Sequence, residues 1–129
     1  MSAQLIGLEK ITETLPVYES SAKAFEVLDK NGKTLAIFYS DNFPRDGKGA
    51  GAWCTSFRGQ SYNGEERIIP IVVNSCNMTN ASGDKPALQT IDNVETLFHE
   101  FGHALHSFFR DVRYNSAGGT ERDFVELPS

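Results

Sequence analysis

A change of hydrophobic period near residue 90 constrains the fold of this chain more than any other feature of its sequence. From Val94 to Phe109 the large apolar residues recur every three or four positions, which is the spacing of one face of an α-helix. Before this stretch, apolar residues come in short runs separated by turn-forming residues, which is typical of strands. The sequence therefore predicts an α+β chain with a small antiparallel or mixed sheet, built from strands within about 24–73, and one long helix over about 93–111.

The clearest strand signal is a hairpin. Asn31-Gly32 separates two apolar runs, and this dipeptide favours the tight turn between antiparallel strands. The sequence predicts paired strands over about 24–29 and 34–40.

Two further strands are predicted downstream, over about 53–57 and 67–74. The second is rich in β-branched residues, which suit a buried strand. Pro70 lies within it and cannot donate a hydrogen bond to a neighbouring strand, so an edge position or a bulge is expected.

Composition excludes several function classes. The chain has 129 residues and a formal net charge of −5, which disfavours nucleic-acid binding, because that requires a basic surface. Neither a membrane-spanning apolar run nor a signal peptide is recognisable, so a cytoplasmic protein without membrane or nucleic-acid partners is expected. The two cysteines, Cys54 and Cys76, are expected to be reduced thiols rather than a disulfide framework.

The predicted helix has a capping signal and two distinct faces. Asp92 followed by Glu95 fits a capping box at its start. At 100° per residue, the histidines of the chain fall on the arc opposite the apolar stripe. Three of the apolar side chains are expected to point into the sheet: Phe98, Phe101 and Leu105.

The polar face of this helix carries the sequence His-Glu-x-x-His. His99 and His103 are four residues apart, so they lie one turn apart on one face and can reach the same Zn²⁺. Glu100 follows the first histidine and is placed to take a proton from an attacking water. This arrangement predicts a catalytic zinc site.

Such a site requires a third protein ligand, and spacing leaves several candidates open: His106, Asp111, Glu121, Asp123 and Glu126. His106 lies too far along the helix to converge with the other two histidines. The longer metzincin motif is absent, because Phe109 occupies the position of its third histidine. A carboxylate returned by a loop remains, and Glu126 is the best placed, after the turn at Gly118-Gly119.

These segments together resemble the thimet oligopeptidase family of zinc peptidases, which includes oligopeptidase A and dipeptidyl carboxypeptidase. The resemblance covers roughly residues 8–129. It is carried by four segments: FYSDNF at 38–43, KPAL at 85–88, VETLFHEFGHALHSFF at 94–109 and RDFVE at 122–126.

The resemblance implies roles for individual residues. His99 and His103 match the family's zinc histidines, Glu100 matches its general base, and Glu126, within a segment at 122–127, matches its third zinc ligand. Members of the family are long and mostly helical. We therefore expect residues 1–129 to form part of the catalytic domain of a monomeric, cytoplasmic peptidase that acts on short peptides.

Two questions stay open at the level of sequence. The resemblance does not separate an oligopeptidase from a peptidyl-dipeptidase. The alternative to an active enzyme is a truncated, non-catalytic piece that folds without a complete active site and self-associates through exposed apolar surface.

Overall fold

The computed structural model describes residues 7–11, 13–82 and 86–128. These residues form seven strands, one α-helix and a short 3₁₀-helix. The elements are β1 Gly7–Lys10, β2 Lys23–Leu28, β3 Thr34–Asp41, β4 Trp53–Arg58, β5 Ser61–Asn63, β6 Glu66–Ile68, β7 Ile71–Ser75, α1 Ile91–Phe109 and the 3₁₀-helix Asn115–Gly118. Lys85, at the predicted entry to the helix, lies outside the described residues.

Five of the strands form one mixed sheet. Its order is β1-β2-β3-β7-β4, and β5 and β6 pair separately as a small hairpin. The β3–β7 pair is parallel, whereas the other pairs of the large sheet are antiparallel. Parallel neighbours need a crossover connection, and here β4, β5 and β6 occupy the chain between them. The predicted α+β class is confirmed, and the sheet is mixed.

The predicted hairpin is also confirmed, between β2 and β3. The Asp29 carboxylate accepts hydrogen bonds from the backbone N–H groups of Asn31 and Lys33, at 2.7 and 2.9 Å. Gly32 has a φ of 77°, a left-handed conformation that glycine adopts without steric cost. Local turn chemistry therefore determines this part of the fold.

The prediction of one strand over 67–74 is wrong, because the run divides into β6 and β7. Pro70 lies between them rather than in an edge strand, and β7 is central in the sheet. The Pro70 carbonyl accepts a hydrogen bond from the backbone N–H of Ile37 at 3.0 Å, so proline occupies a position that uses only its acceptor. Strand β1, which pairs with β2, was not predicted, because its sequence has no clear alternation of apolar and polar residues.

Helix α1 begins two residues earlier than predicted and has a different cap. The Thr90 hydroxyl, not the Asp92 carboxylate, accepts the hydrogen bond from the backbone N–H of Asn93, at 3.2 Å. At the other end, the Arg67 guanidinium donates to the carbonyls of Phe108 and Arg110, at 3.3 and 3.1 Å. A cation at the C-terminal end of a helix satisfies carbonyls that have no partner within the helix.

The helix packs on the sheet through a narrower arc than the apolar stripe suggests. Ala104 and Phe108 are fully buried, in one cluster with residues of β2, β3 and β7. Phe101 and Leu105 are half-buried against this cluster, but the prediction for Phe98 is wrong, because 68% of that residue is exposed. The apolar stripe is wider than the surface that the sheet offers, so its outer edge faces solvent.

A buried ion pair fixes the loop that follows β3. The Lys48 ammonium donates to the Asp41 carboxylate at 3.0 Å and to the carbonyls of Phe43 and Cys76; both charged side chains are 2% exposed. Burial by itself raises the pKa of the Asp41 carboxyl, but hydrogen bonds from Lys48 and its other donors outweigh burial and hold that pKa below its usual value. The network attaches the glycine-rich loop to the ends of β3 and β7.

Replacement of Lys48 by methionine is expected to lower the free energy of unfolding at pH 7 by roughly 1.5–3 kcal/mol, because the Asp41 carboxylate loses the charged donor Lys48 but keeps hydrogen bonds from Arg45 and Tyr18. A carboxyl whose pKa is lowered by folding stabilises the native state above its unfolded pKa of about 3.9, and this contribution is lost as the pH falls toward the folded pKa. The difference between wild type and variant should therefore shrink between about pH 5 and pH 3. Urea denaturation of both proteins at several pH values measures this difference in the free energy of unfolding.

The matched control is Lys30→Met, at an exposed lysine in the hairpin turn, which should change stability by less than about 0.5 kcal/mol. A Lys48→Met difference that stays constant down to pH 3 would contradict the assigned role of the pair.

Candidate metal centre

The His-Glu-x-x-His segment lies in the middle of α1. Its two histidines are on the more exposed side of the helix. The side chains of His99 and His103 are 46% and 20% exposed, and their ring centroids are 4.9 Å apart. The helix determines this proximity, because residues four apart are neighbours on its surface.

Glu126 joins these two histidines from the C-terminal segment. Its Oε2 atom lies 3.2 Å from the Nε2 atom of His99 and 3.2 Å from the Nε2 atom of His103. One ligand atom from each of the three side chains falls within 4.8 Å of the others, a spacing that fits a shared metal ion.

The donor set and the spacing suit zinc. Two ligand atoms at about 2.0–2.1 Å from a tetrahedral Zn²⁺ are about 3.3 Å apart, close to the separations seen here. Two imidazoles and one carboxylate are also a common donor set of catalytic zinc sites, which leave one position open. The residues present therefore fit a zinc ion.

Tight packing leads the chain back toward the helix before Glu126. A Cβ atom at Gly118 would lie 2.6 Å from the Arg110 side chain, so a larger residue there would require that side chain to move. The Thr120 hydroxyl then lies 3.3 Å from the His106 Nε2 atom. Residues 122–128 continue as successive turns, and the Glu126 side chain is 67% exposed.

The other candidates for a third ligand lie elsewhere. His106 contacts Thr120, and the Asp111 carboxylate accepts a hydrogen bond from the Tyr62 hydroxyl at 2.7 Å. Glu121 and Asp123 line a separate cavity of about 810 Å³ beside the second half of α1. Among the described residues, the structure groups only Glu126 with the two histidines.

Glu100 differs from its neighbours on the helix because it is buried. It is only 7% exposed and lies near the thiols of Cys54 and Cys76. Burial, followed by the negative charge of Glu100, raises the pKa of the Cys54 thiol to about 12. Cys54 is therefore a thiol at neutral pH rather than a nucleophilic thiolate. The carboxyl group beside it is that of Glu100.

A cavity of about 280 Å³ runs between α1 and the edge strand β4. Ser56 of β4, His103 of the helix and Thr120 of the C-terminal segment are among the residues that line it. Because β4 is the last strand of the sheet among the described residues, one side of its backbone has no neighbouring strand there. Sequence reasoning missed this role of β4, since edge position depends on strand order.

Comparison with known proteins gives the context of this site. The sequence pattern of "Peptidase family M3" matches residues 2–129. The chain belongs to peptidase family M3. Among its M3 relatives, dipeptidyl carboxypeptidase of Escherichia coli (strain K12) is 43% identical over 129 residues, which are 98% of this chain and 19% of the relative.

Other relatives are similar over the same region. Thimet-like oligopeptidase of Dictyostelium discoideum is 39% identical over 129 residues, covering 93% of this chain and 19% of that protein. Oligopeptidase A of Escherichia coli (strain K12) is 36% identical over 126 residues, covering 93% of this chain and 18% of that protein. The chain thus spans about a fifth of the length of these relatives. The resemblance to the family of oligopeptidase A and dipeptidyl carboxypeptidase is confirmed.

The described residues include one long helix, α1. No helix among residues 7–11, 13–82 and 86–128 has the length and apolar character needed to cross a membrane.

Proposed function

We propose that the protein containing this chain is a zinc-dependent peptidase that hydrolyses short peptides. The observation that carries this proposal is the meeting of His99, His103 and Glu126 on one side of α1, next to the buried Glu100, in a chain of a peptidase family. In this proposal the two histidines and Glu126 are the metal ligands.

Zinc, when bound, supplies a Lewis acid for polarising the scissile carbonyl. Glu100 takes a proton from the attacking water and passes it to the amine that leaves. Its burial suits this role, because a carboxylate shielded from solvent interacts more strongly with a nearby proton donor.

The edge strand β4 is the proposed site for the substrate backbone. An extended peptide can add to an open strand edge through main-chain hydrogen bonds, and the cavity between β4 and α1 brings such a peptide beside His103. Main-chain pairing depends little on side chains, so it suits an enzyme that accepts varied short peptides. The names of the relatives include both a dipeptidyl carboxypeptidase and oligopeptidases, so removal of C-terminal dipeptides and internal cleavage are both consistent with this site.

We also propose that residues 1–129 form part of the catalytic domain of a monomeric, cytoplasmic enzyme. The second candidate is a chain that folds but does not catalyse by itself. The exposure of Glu126 favours this candidate for the isolated 129-residue chain, because exposed turns near a terminus hold a metal ligand weakly. The apolar residues exposed along α1 fit the self-association expected of that isolated chain.

Chelation tests the proposal. The full-length protein, incubated with quenched fluorescent peptides of five to ten residues, should lose nearly all hydrolysis when treated with 1,10-phenanthroline, and added zinc should restore it. Mass spectrometry of the products then distinguishes C-terminal dipeptides from internal fragments. Hydrolysis that persists after the metal content has fallen below one-tenth of an ion per chain would exclude a zinc peptidase.

A further inference from the structure

The fold described above does not explain why one polar side chain is buried. Asn74, on β7, is fully buried, and among the described residues neither its amide nitrogen nor its amide oxygen has a hydrogen-bond partner. Buried amides are nearly always paired, because burial removes their hydrogen bonds to water. Asn74 alternates with Val72 along the strand and therefore faces α1.

Two pairs of neighbouring residues show how β7 and α1 align. Val72 packs in one cluster with Ala104, and Cys76 lines a cavity together with Thr96. Four residues along the strand thus correspond to eight residues along the helix in the opposite direction. Two residues of a strand span about 6.6 Å, and four residues of a helix span about 6 Å. Because these lengths are nearly equal, the alignment also holds midway between the two pairs.

The midpoint of this alignment pairs Asn74 with Glu100. The pKa values of the neighbouring thiols are consistent with this position of Glu100. Its negative charge contributes to the raised pKa of both Cys54 and Cys76. Cys54 lies directly opposite Asn74 in the β4–β7 register, and Cys76 is the next residue on the same face of β7. Glu100 therefore lies above the patch of sheet that has Asn74 at its centre.

We propose that Asn74 is a positioning residue for Glu100. The Asn74 side-chain amide donates a hydrogen bond through one buried water to the Glu100 carboxylate, and holds the carboxylate toward the face that carries the two histidines. This inference rests on the proposed function in one respect, which is the role of Glu100 as proton acceptor.

An amide suits this task. A glutamate side chain has three rotatable bonds, and fixing it at one orientation requires a donor. The thiols of Cys54 and Cys76 are weak donors, whereas the Asn74 amide has two N–H groups. No motif marks Asn74 in the sequence, so its position was recognisable only from its burial opposite α1.

Nuclear magnetic resonance of the metal-free chain tests the contact without any activity. The Asn74 side-chain amide signals are assigned by their loss in Asn74→Ser. Glu100→Gln should then shift the Asn74 amide signals, while those of Asn63, in the separate β5–β6 hairpin, stay unchanged as an internal control. Asn74 amide signals that do not respond to Glu100→Gln would overturn the proposal.

Kinetics of the full-length protein test the consequence. Asn74→Leu, which keeps a similar volume, should lower kcat by about 10–100-fold with KM and zinc stoichiometry unchanged, the loss typical of a residue that orients a metal-site group. Asn74→Ser, which keeps a smaller donor, should recover part of kcat. Val72→Thr, a nearly isosteric change on the same face of β7, is the matched control and should leave kcat near wild type.

The outcomes separate the two proposals. Wild-type kcat in both Asn74 variants would overturn the positioning role. If Asn74→Leu fails to fold, Asn74→Ser and the Glu100→Gln spectra decide the question. If the wild-type protein hydrolyses no peptide, the proposed function fails, while the Asn74–Glu100 contact is still decided by the spectra.

Discussion

Glu100→Gln should abolish most peptide hydrolysis while leaving zinc bound. The substitution keeps the shape of the side chain and removes its ability to accept a proton. General-base catalysis typically contributes about 10²–10⁴-fold, and we expect kcat to fall within this range with KM little changed. The metal ligands proposed here are other residues, so zinc content measured by atomic absorption should match wild type.

The matched control is Glu95→Gln, which makes the same chemical change on the same helix at an exposed position. Its kcat should lie within about twofold of wild type, since exposed substitutions away from the site have small effects. If Glu100→Gln retained more than one-tenth of wild-type kcat, Glu100 would not be the proton acceptor. If it lost zinc, the loss of activity would reflect a damaged metal site.

His103→Ala should strongly weaken zinc binding, because it removes one of the proposed ligands. A residue that only orients a ligand already contributes about 10–100-fold to metal affinity, so loss of a ligand should raise the zinc Kd by more than about 100-fold. Glu126→Gln, which keeps an oxygen but loses the charge, should also raise the Kd. Competition with a fluorescent zinc chelator measures all of these constants on one scale.

His106→Ala is the control for this comparison. His106 is on the same helix, three residues from His103, but its Nε2 atom lies beside the Thr120 hydroxyl. Its replacement should leave the zinc Kd within about threefold of wild type, because its ring nitrogen contacts Thr120 rather than a proposed ligand. Equal losses in His103→Ala and His106→Ala would contradict the proposed ligand set, and an unchanged Kd in Glu126→Gln would exclude Glu126 as the third ligand.

The choice of a third ligand shows where sequence reasoning stops. Spacing excluded His106 and left four carboxylates open, with Glu126 the best placed, and only the resemblance to a peptidase family fixed the assignment. The structure brings Glu126 within 3.2 Å of both histidines, through a loop in which Gly118 packs against the Arg110 side chain. Such a loop is held by contacts between distant residues, which no local pattern encodes.

The errors at the helix have a similar cause. Periodicity located α1 to within two residues at each end, because its signal repeats over five turns. It did not predict that Phe98 would be exposed and Glu100 buried. Which part of an amphipathic face is covered depends on the width and tilt of the sheet below it, and these belong to the tertiary structure.

The sequence by itself determined the features that arise within one segment. The hairpin at Gly32, the helix over about 91–109 and the placement of His99 and His103 on one face follow from local backbone geometry. Only the tertiary structure decided that β7 pairs in parallel with β3, that Asn74 lies beneath α1 and that Glu126 returns to the histidines. The physical reason is that these contacts join residues far apart in the chain, and their free energy depends on packing that forms only when the whole fold is assembled.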